Sequence, residues 1–86
     1  MNSTKMDYQL IQELHEIKDG RYIKWLKLED KKWRGGFVLK VDIEENGARI
    51  LVKKGKYIMT CIVDESIIYQ KLTLDEQLIQ RIESLL

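Results

Sequence analysis

The sequence predicts a mainly β domain with a helix at each end, an α-β5-α order, and three observations lead there. Phe37, Leu39, Val41 and Ile43 alternate along one stretch, and Ile58, Thr60 and Ile62 along another, with the period of strands that turn one face to a core. Turn-forming residues, Asn46-Gly47 and Gly55 among them, interrupt the middle of the chain at short intervals. At both ends the apolar residues recur at three- and four-residue spacing instead, which is the period of a helix.

The N-terminal helix is expected over residues 1–19. Met6, Leu10, Ile11, Leu14 and Ile17 form its apolar stripe, and Ser3 or Thr4 caps its start. Lys18 and Asp19-Gly20 mark its end, because glycine takes the left-handed conformation that closes a helix. Strands follow near 21–28, 34–43, 48–54, 57–63 and 67–72. They are joined by Glu29 to Trp33, Glu44 to Gly47, the tight Lys53-Lys54-Gly55-Lys56 turn and Asp64-Glu65-Ser66. Asn46-Gly47 and Gly55 supply the positive φ that short hairpins require. Two adjacent glycines inside a strand cost backbone entropy, so Gly35-Gly36 is expected at a bulge or sharp bend that curls the sheet. The last helix, over 73–86, opens on Thr73-Leu74-Asp75-Glu76, a capping box, and carries the stripe Leu78, Ile79, Ile82, Leu85 and Leu86. Five short antiparallel strands with one such bend predict a small SH3-like or Tudor-like barrel over residues 20–72, and residues 1–86 form a single domain.

Size and composition limit what such a domain does. A chain of 86 residues buries about 60 to 65% of the surface it exposes when unfolded, which leaves little stability and no room for a deep cleft. With 44% hydrophobic and 34% charged residues it is globular, and no apolar run approaches the roughly 18 residues of a membrane span. The start, MNSTKMDYQL, lacks the basic and continuously apolar segments of a secretory signal, and the lone Cys61 has no partner for an internal disulfide. An intracellular, reducing compartment is the expectation.

Little here points to catalysis or to a cofactor. His15, the only histidine, lies on a helix flank beside Leu14 and reads as a surface residue. Cys61 lies inside a strand, where a free cysteine behaves as a small buried hydrophobe. Structural zinc needs more Cys and His ligands than these two. The carboxylate pairs Glu29-Asp30, Glu44-Glu45, Asp64-Glu65 and Asp75-Glu76 fall in turns or at a helix start, where solvation or capping accounts for them. Gly35-Gly36 is not followed by the Gly-Lys-Ser/Thr of a phosphate loop. The expected protein is not an enzyme.

Charge is unevenly spread. Eleven basic against five acidic residues between Arg21 and Lys56 make the middle +6 in a chain of net +1, so the flanks carry −5. Aromatic and basic residues interleave in Arg21-Tyr22-Ile23-Lys24-Trp25 and Lys31-Lys32-Trp33-Arg34. Small barrels hold single-stranded nucleic acid by stacking bases on aromatics while Lys and Arg neutralise phosphates, and the same aromatics suit a methylated-lysine cage. Tyr22, Trp25 and Phe37 are also the largest apolar groups available, and at least two of them are expected in the core. Trp33 lies in the polar connection and is the better candidate for exposure. The ligand-binding candidates are therefore Lys24, Lys31, Lys32, Trp33, Arg34, Lys53, Lys54, Lys56 and Tyr57. Leu78, Ile79, Ile82, Leu85 and Leu86 exceed what a short terminal helix needs to cap a barrel, and are candidates for an interface, with a homo-oligomer as one outcome.

Gly20-Arg21-Tyr22-Ile23-Lys24-Trp25, Trp33-Arg34-Gly35-Gly36-Phe37-Val38 and Ile67-Ile68-Tyr69-Gln70-Lys71 together resemble a short module that recurs in proteins of nucleocytoplasmic large DNA viruses. Its strands read G-x-Y-I-R-Y/W, G-G-F, W-S-V-Q and I-Y-x-K, and the likeness spans residues 20–71, with Tyr57 to Cys61 departing from the Trp-containing third strand. The resemblance implies a setting, the virion or the host cytoplasm, more than an activity. Together these readings lead to a non-enzymatic binding and assembly module that docks nucleic acid backbone or an acidic protein on a basic barrel face. The rival is a structural virion protein, minor capsid or cement-like, with other virion proteins as its only partners.

Overall fold

Alternating side chains and short glycine turns fold the middle of the chain into an antiparallel meander. In the computed structural model, which describes residues 7–86, the strands are β1 (Tyr8–Leu10), β2 (Tyr22–Lys27), β3 (Lys32–Glu44), β4 (Gly47–Lys54), β5 (Tyr57–Ile62) and β6 (Ser66–Lys71). A helix, α1 (Leu74–Leu85), closes the chain, and 3-10 turns lie at Leu14–Glu16 and Val63–Glu65. The six strands make one open antiparallel sheet in the order β1-β6-β2-β3-β4-β5. Among the described residues no helix is long and apolar enough to cross a membrane. Gly55, at φ +60, opens the two-residue turn between β4 and β5, and positive φ at that first central residue alone is the type II′ pattern. Gly47 has φ +128, whereas Asn46 is not among the residues of positive φ, so one residue of the expected pair meets the conformational demand.

The long strand β3 organises the sheet. Its first half pairs with β2, from Lys27 opposite Lys32 to Tyr22 opposite Phe37, and its second half pairs with β4, from Phe37 opposite Lys53 to Glu44 opposite Gly47. The register slips between Val38 and Lys40, so the bulge lies at Leu39 rather than at Gly35-Gly36. Neither of those glycines has a positive φ. They are needed for close approach: a Cβ on Gly36 would stand 2.5 Å from Val52 Cγ1 and 2.8 Å from the Lys53 carbonyl oxygen, and one on Gly35 would run into the Tyr22 hydroxyl.

That packing reverses the faces the alternation suggested for Phe37 and for β5, whereas Val41, beyond the bulge, packs against the core as expected. Gly36 and Val38 turn inward, and Phe37, Leu39 and Ile43 are exposed. On β5 it is Cys61, with Met59 beside it, that meets the core, while Ile58 and Thr60 face out. The core is Ile17, Ile23, Trp25, Val38, Ile50, Val52, Cys61 and Ile68, with Ile11, Leu14, Val41, Met59 and Val63 against it. Of the three large aromatics, at least two of which were expected in it, only Trp25 is there; Phe37 is exposed and Tyr22 half-buried.

The N-terminal helix expected over 1–19 does not extend through the described part of that range; Met6 and the Ser3 or Thr4 cap lie outside the described residues. Tyr8–Leu10 pairs with β6, and the backbone bonds Leu72 N–H to Asp7 O (2.7 Å) and Ile11 N–H to Ile68 O (2.8 Å) extend that edge. Leu14–Glu16 is a 3-10 turn closed by the Glu16 carboxylate, which accepts from the amides of Gln12 (2.9 Å) and Glu13 (2.8 Å) and is held below its ordinary pKa by those bonds. Buried Gln70 clasps the segment, accepting from Lys18 N–H (2.8 Å) and donating to Glu16 O (2.9 Å). Ile11, Leu14 and Ile17 thus reach the core from an extended chain, because the edge of β6 offers backbone partners that a helix would leave unmet.

At the other end the capping box forms: the Thr73 hydroxyl accepts from Glu76 N–H (3.1 Å) and the Glu76 carboxylate from Thr73 N–H (2.9 Å). Glu76 also binds Arg21 at 2.6 Å and Lys18 at 3.1 Å, and Gln77 donates to Leu72 O, so the first turn of α1 is tethered to the sheet. No residue of α1 is buried.

Gly36→Val forces backbone apart and is expected to destabilise the domain by more than about 2 kcal/mol, whereas Gly35→Ala chiefly displaces the far end of the Tyr22 side chain, with the Ile23 carbonyl oxygen at 3.3 Å, and costs less; chemical denaturation of both ranks them. The Thr73 amide, then Arg21 and Lys18, hold the Glu76 carboxyl down at about 2. Its contribution is complete above the ordinary value of 4.5 and lost as pH falls towards 2. Amide exchange in the first turn of α1 should quicken across that window, beyond the intrinsic pH trend, and Glu76→Gln should remove the transition.

Candidate functional site

Because Ile23, Trp25, Gly36, Val38 and Ile68 face the core, their strand neighbours face outward. On β2 these are Tyr22, Lys24 and Leu26; on β3 they are Trp33, Gly35 and Phe37; on β6 they are Ile67, Tyr69 and Lys71. Cross-strand pairing carries the face onto β1, where Tyr8 stands opposite Lys71 and Leu10 opposite Tyr69. The β4 and β5 side continues it with Lys53 opposite both Phe37 and Ile58.

Aromatic rings and lysines interleave on this face. The Trp33 and Tyr69 rings have centroids 6.0 Å apart at 43°, and Tyr22 meets Phe37 edge to face at 5.2 Å. The Lys24 ammonium sits 4.1 Å from the Tyr8 ring centroid and 5.8 Å from that of Trp33, and Lys71 approaches Tyr8 from 5.4 Å. Trp33 is 55% and Phe37 54% exposed, so large flat surfaces remain open to a ligand. Gly35 matters here as well, since its missing side chain lets the Tyr22 phenol lie across β3.

The expected binding residues divide among three places. Lys24, Trp33 and Lys53 lie on the outer face, with Trp33 in β3 and not in a connection. Lys53, Lys54, Lys56 and Tyr57 cluster at the β4–β5 hairpin, where Tyr57 is 76% exposed. Lys31, Lys32 and Arg34 belong to the β2–β3 turn and the start of β3. There Lys31 takes the left-handed conformation (φ 57°), and Arg34 is engaged by Asp30 at 2.7 Å. The Arg34 guanidinium and the Lys32 amide hold the Asp30 carboxyl well below the usual carboxylate range. Arg34 therefore braces the turn. Tyr8, Tyr69 and Lys71 belong to the face but were not singled out in the sequence. The alternation of Ile67, Tyr69 and Lys71 against Ile68, Gln70 and Leu72 was the signal for β6, while the helical reading of the N-terminus hid Tyr8.

Other chemistry is sparse. Cys61 is fully buried and desolvation pushes its thiol up to about 11, against a hydrogen bond with Ser66, so it remains protonated at neutral pH. Among the described residues no three His, Cys, Asp or Glu side chains converge as metal ligands. An open groove of about 540 Å³ between the first 3-10 turn and β3 is lined chiefly by Leu14, Ile17, Val41 and Ile43, with His15 at its rim engaged by Glu13 at 3.2 Å. Comparison with known protein families, curated proteins and solved structures finds no match.

The two tryptophans should respond oppositely to truncation. Trp25→Ala removes the largest core side chain and is expected to cost about 3–5 kcal/mol or to unfold the chain, while Trp33→Ala should change stability by less than about 1 kcal/mol. Denaturant titrations measure both.

Proposed function

We propose that this chain is a non-enzymatic binding and assembly module that holds single-stranded nucleic acid on the outer face of its sheet. The observation that carries this reading is the Trp33–Tyr69 ring pair at 6.0 Å with Lys24 within 5.8 Å of the indole. Bases stack on such rings irrespective of sequence, and Lys24, Lys71 and Lys53 on the same face neutralise the phosphates between them. An SH3-like or Tudor-like barrel is the finer fold in this proposal. Support for it comes from the order β6-β2-β3-β4-β5, a meander whose last strand returns beside its first after the Val63–Glu65 3-10 turn.

A second reading, a structural virion protein with protein contacts throughout, is favoured by α1. Leu78, Ile79 and Ile82 are 56, 53 and 51% exposed and Leu85 and Leu86 more so, the kind of apolar patch that marks a protein interface.

Fluorescence separates the two readings, since Trp33 is open and Trp25 buried. A single-stranded oligonucleotide should quench Trp33, with log affinity falling linearly in log salt by about 0.7 per phosphate neutralised. Lys24→Gln and Lys71→Gln should each lower that slope by about 0.7, and Trp33→Ala should cost about 1–3 kcal/mol of binding. No binding at about 50 mM salt rules the reading out.

A further inference from the structure

The two edges of the sheet are unequal. β1 is three residues long, the kind of short edge that resists pairing with another chain. β5 has six residues, Tyr57-Ile58-Met59-Thr60-Cys61-Ile62, with no charge, proline or glycine, and among the described residues it pairs only with β4. Among the described residues none of these six makes a backbone hydrogen bond beyond that pairing. Lys54 and Tyr57 flank the two-residue turn and are a bonded pair, so Tyr57, Met59 and Cys61 bond β4. The N–H and C=O groups of Ile58, Thr60 and Ile62 therefore point to the free side. Native edges are guarded by charges, bulges, proline or a covering element, and β5 has none of these within its length.

The flanks of β5 identify what fits it. Before it stand Lys53, Lys54 and Lys56; after it stand Asp64 and Glu65. All five are exposed, and none is in an ion pair among the described residues. A strand that is basic at one end, neutral along its length and acidic at the other is complementary to itself when antiparallel and repels itself when parallel. We infer that β5 pairs antiparallel with β5 of a second copy, about a two-fold axis at Thr60. In this register Thr60 faces Thr60 of the partner subunit, and Ile58, 65% exposed in the single chain, packs beside the partner's Ile62. Lys54 and Lys56 then meet the partner's Asp64 and Glu65 at both ends. The outer faces of the two sheets lie on the same side of the joined sheet, which makes one doubled surface.

Sedimentation velocity on the full chain over a range of concentrations tests the inference. The chain is expected to dimerise, and Thr60→Pro, which removes an outward amide from an edge strand without touching the bonds to β4, should give a folded monomer by circular dichroism. Lys54→Glu with Lys56→Glu, and separately Asp64→Lys with Glu65→Lys, should each weaken the dimer by about tenfold or more through like-charge contacts. An equimolar mixture of the two charge variants should dimerise again, because each then meets its complement. A chain that stays monomeric at every concentration overturns the inference. So does a dimer indifferent to Thr60→Pro and to both charge variants but abolished by Ile82→Asp, which would assign association to α1. Folded charge variants that fail to associate when mixed overturn it as well. Nucleic-acid binding is read separately, by Trp33 quenching on Thr60→Pro, which keeps every lysine of the outer face, so failure of the dimer and failure of that reading are distinguishable.

Discussion

The close approach of β3 to β4 at Gly36 is the contact on which the rest of the sheet depends. With only a hydrogen where other residues carry a Cβ, the backbone settles onto Val52 and the Lys53 carbonyl, and one strand of thirteen residues serves both halves of the sheet. The extra residue at Leu39 then reorients the strand between its two partners. A larger residue at Gly36 would have to push β3 away from Val52 and the Lys53 carbonyl. The glycine acts through space rather than through φ, which separates it from Gly55 and Gly47, where the turn itself demands the conformation.

Once Gly36 and Val38 face inward, Phe37 and Trp33 must face outward, and the aromatic surface follows from the core. β-branched residues, Trp25 and Cys61 pack the interior closely, leaving the other rings to a solvent-facing sheet. There the rings are spaced by lysines whose ammonium groups lie over tyrosine and tryptophan faces. Cation–π contacts hold the lysine stems in place without neutralising the charge, so an anionic ligand still meets a positive surface.

Three arginines serve structure, while the lysines of the β4–β5 hairpin stay at the surface. Arg21 engages Glu76, Arg34 engages Asp30, and Arg49 engages Glu44, each at a joint: the start of α1, the β2–β3 turn and the β3–β4 hairpin. A planar guanidinium suits such geometrically defined pairing better than an ammonium does. Lys53, Lys54 and Lys56 enter no ion pair among the described residues and remain solvent-facing. The +6 of the middle segment therefore overstates the charge available to a ligand, and the available part is mainly lysine.

Five strands and the hairpin turns between β3, β4 and β5 were legible in the sequence because they rest on local chemistry, alternation and a glycine at φ +60, as was the last helix from its Thr-x-x-Glu cap. Boundaries came within about two residues for the same reason. Two things were decided only in three dimensions. Period-two alternation marks a strand without saying which face is inside when both faces carry apolar residues; Val38 against Phe37 was resolved by the close approach at Gly36, and Cys61 against Ile62 by packing of Cys61 into the core. Three- and four-residue spacing is satisfied by a helix, but also by an extended chain and a 3-10 turn laid along a sheet. The open edge of β6 and the Gln70 clasp, more than fifty residues away in sequence, selected the latter, since unpaired backbone groups at an edge weigh more than helix periodicity.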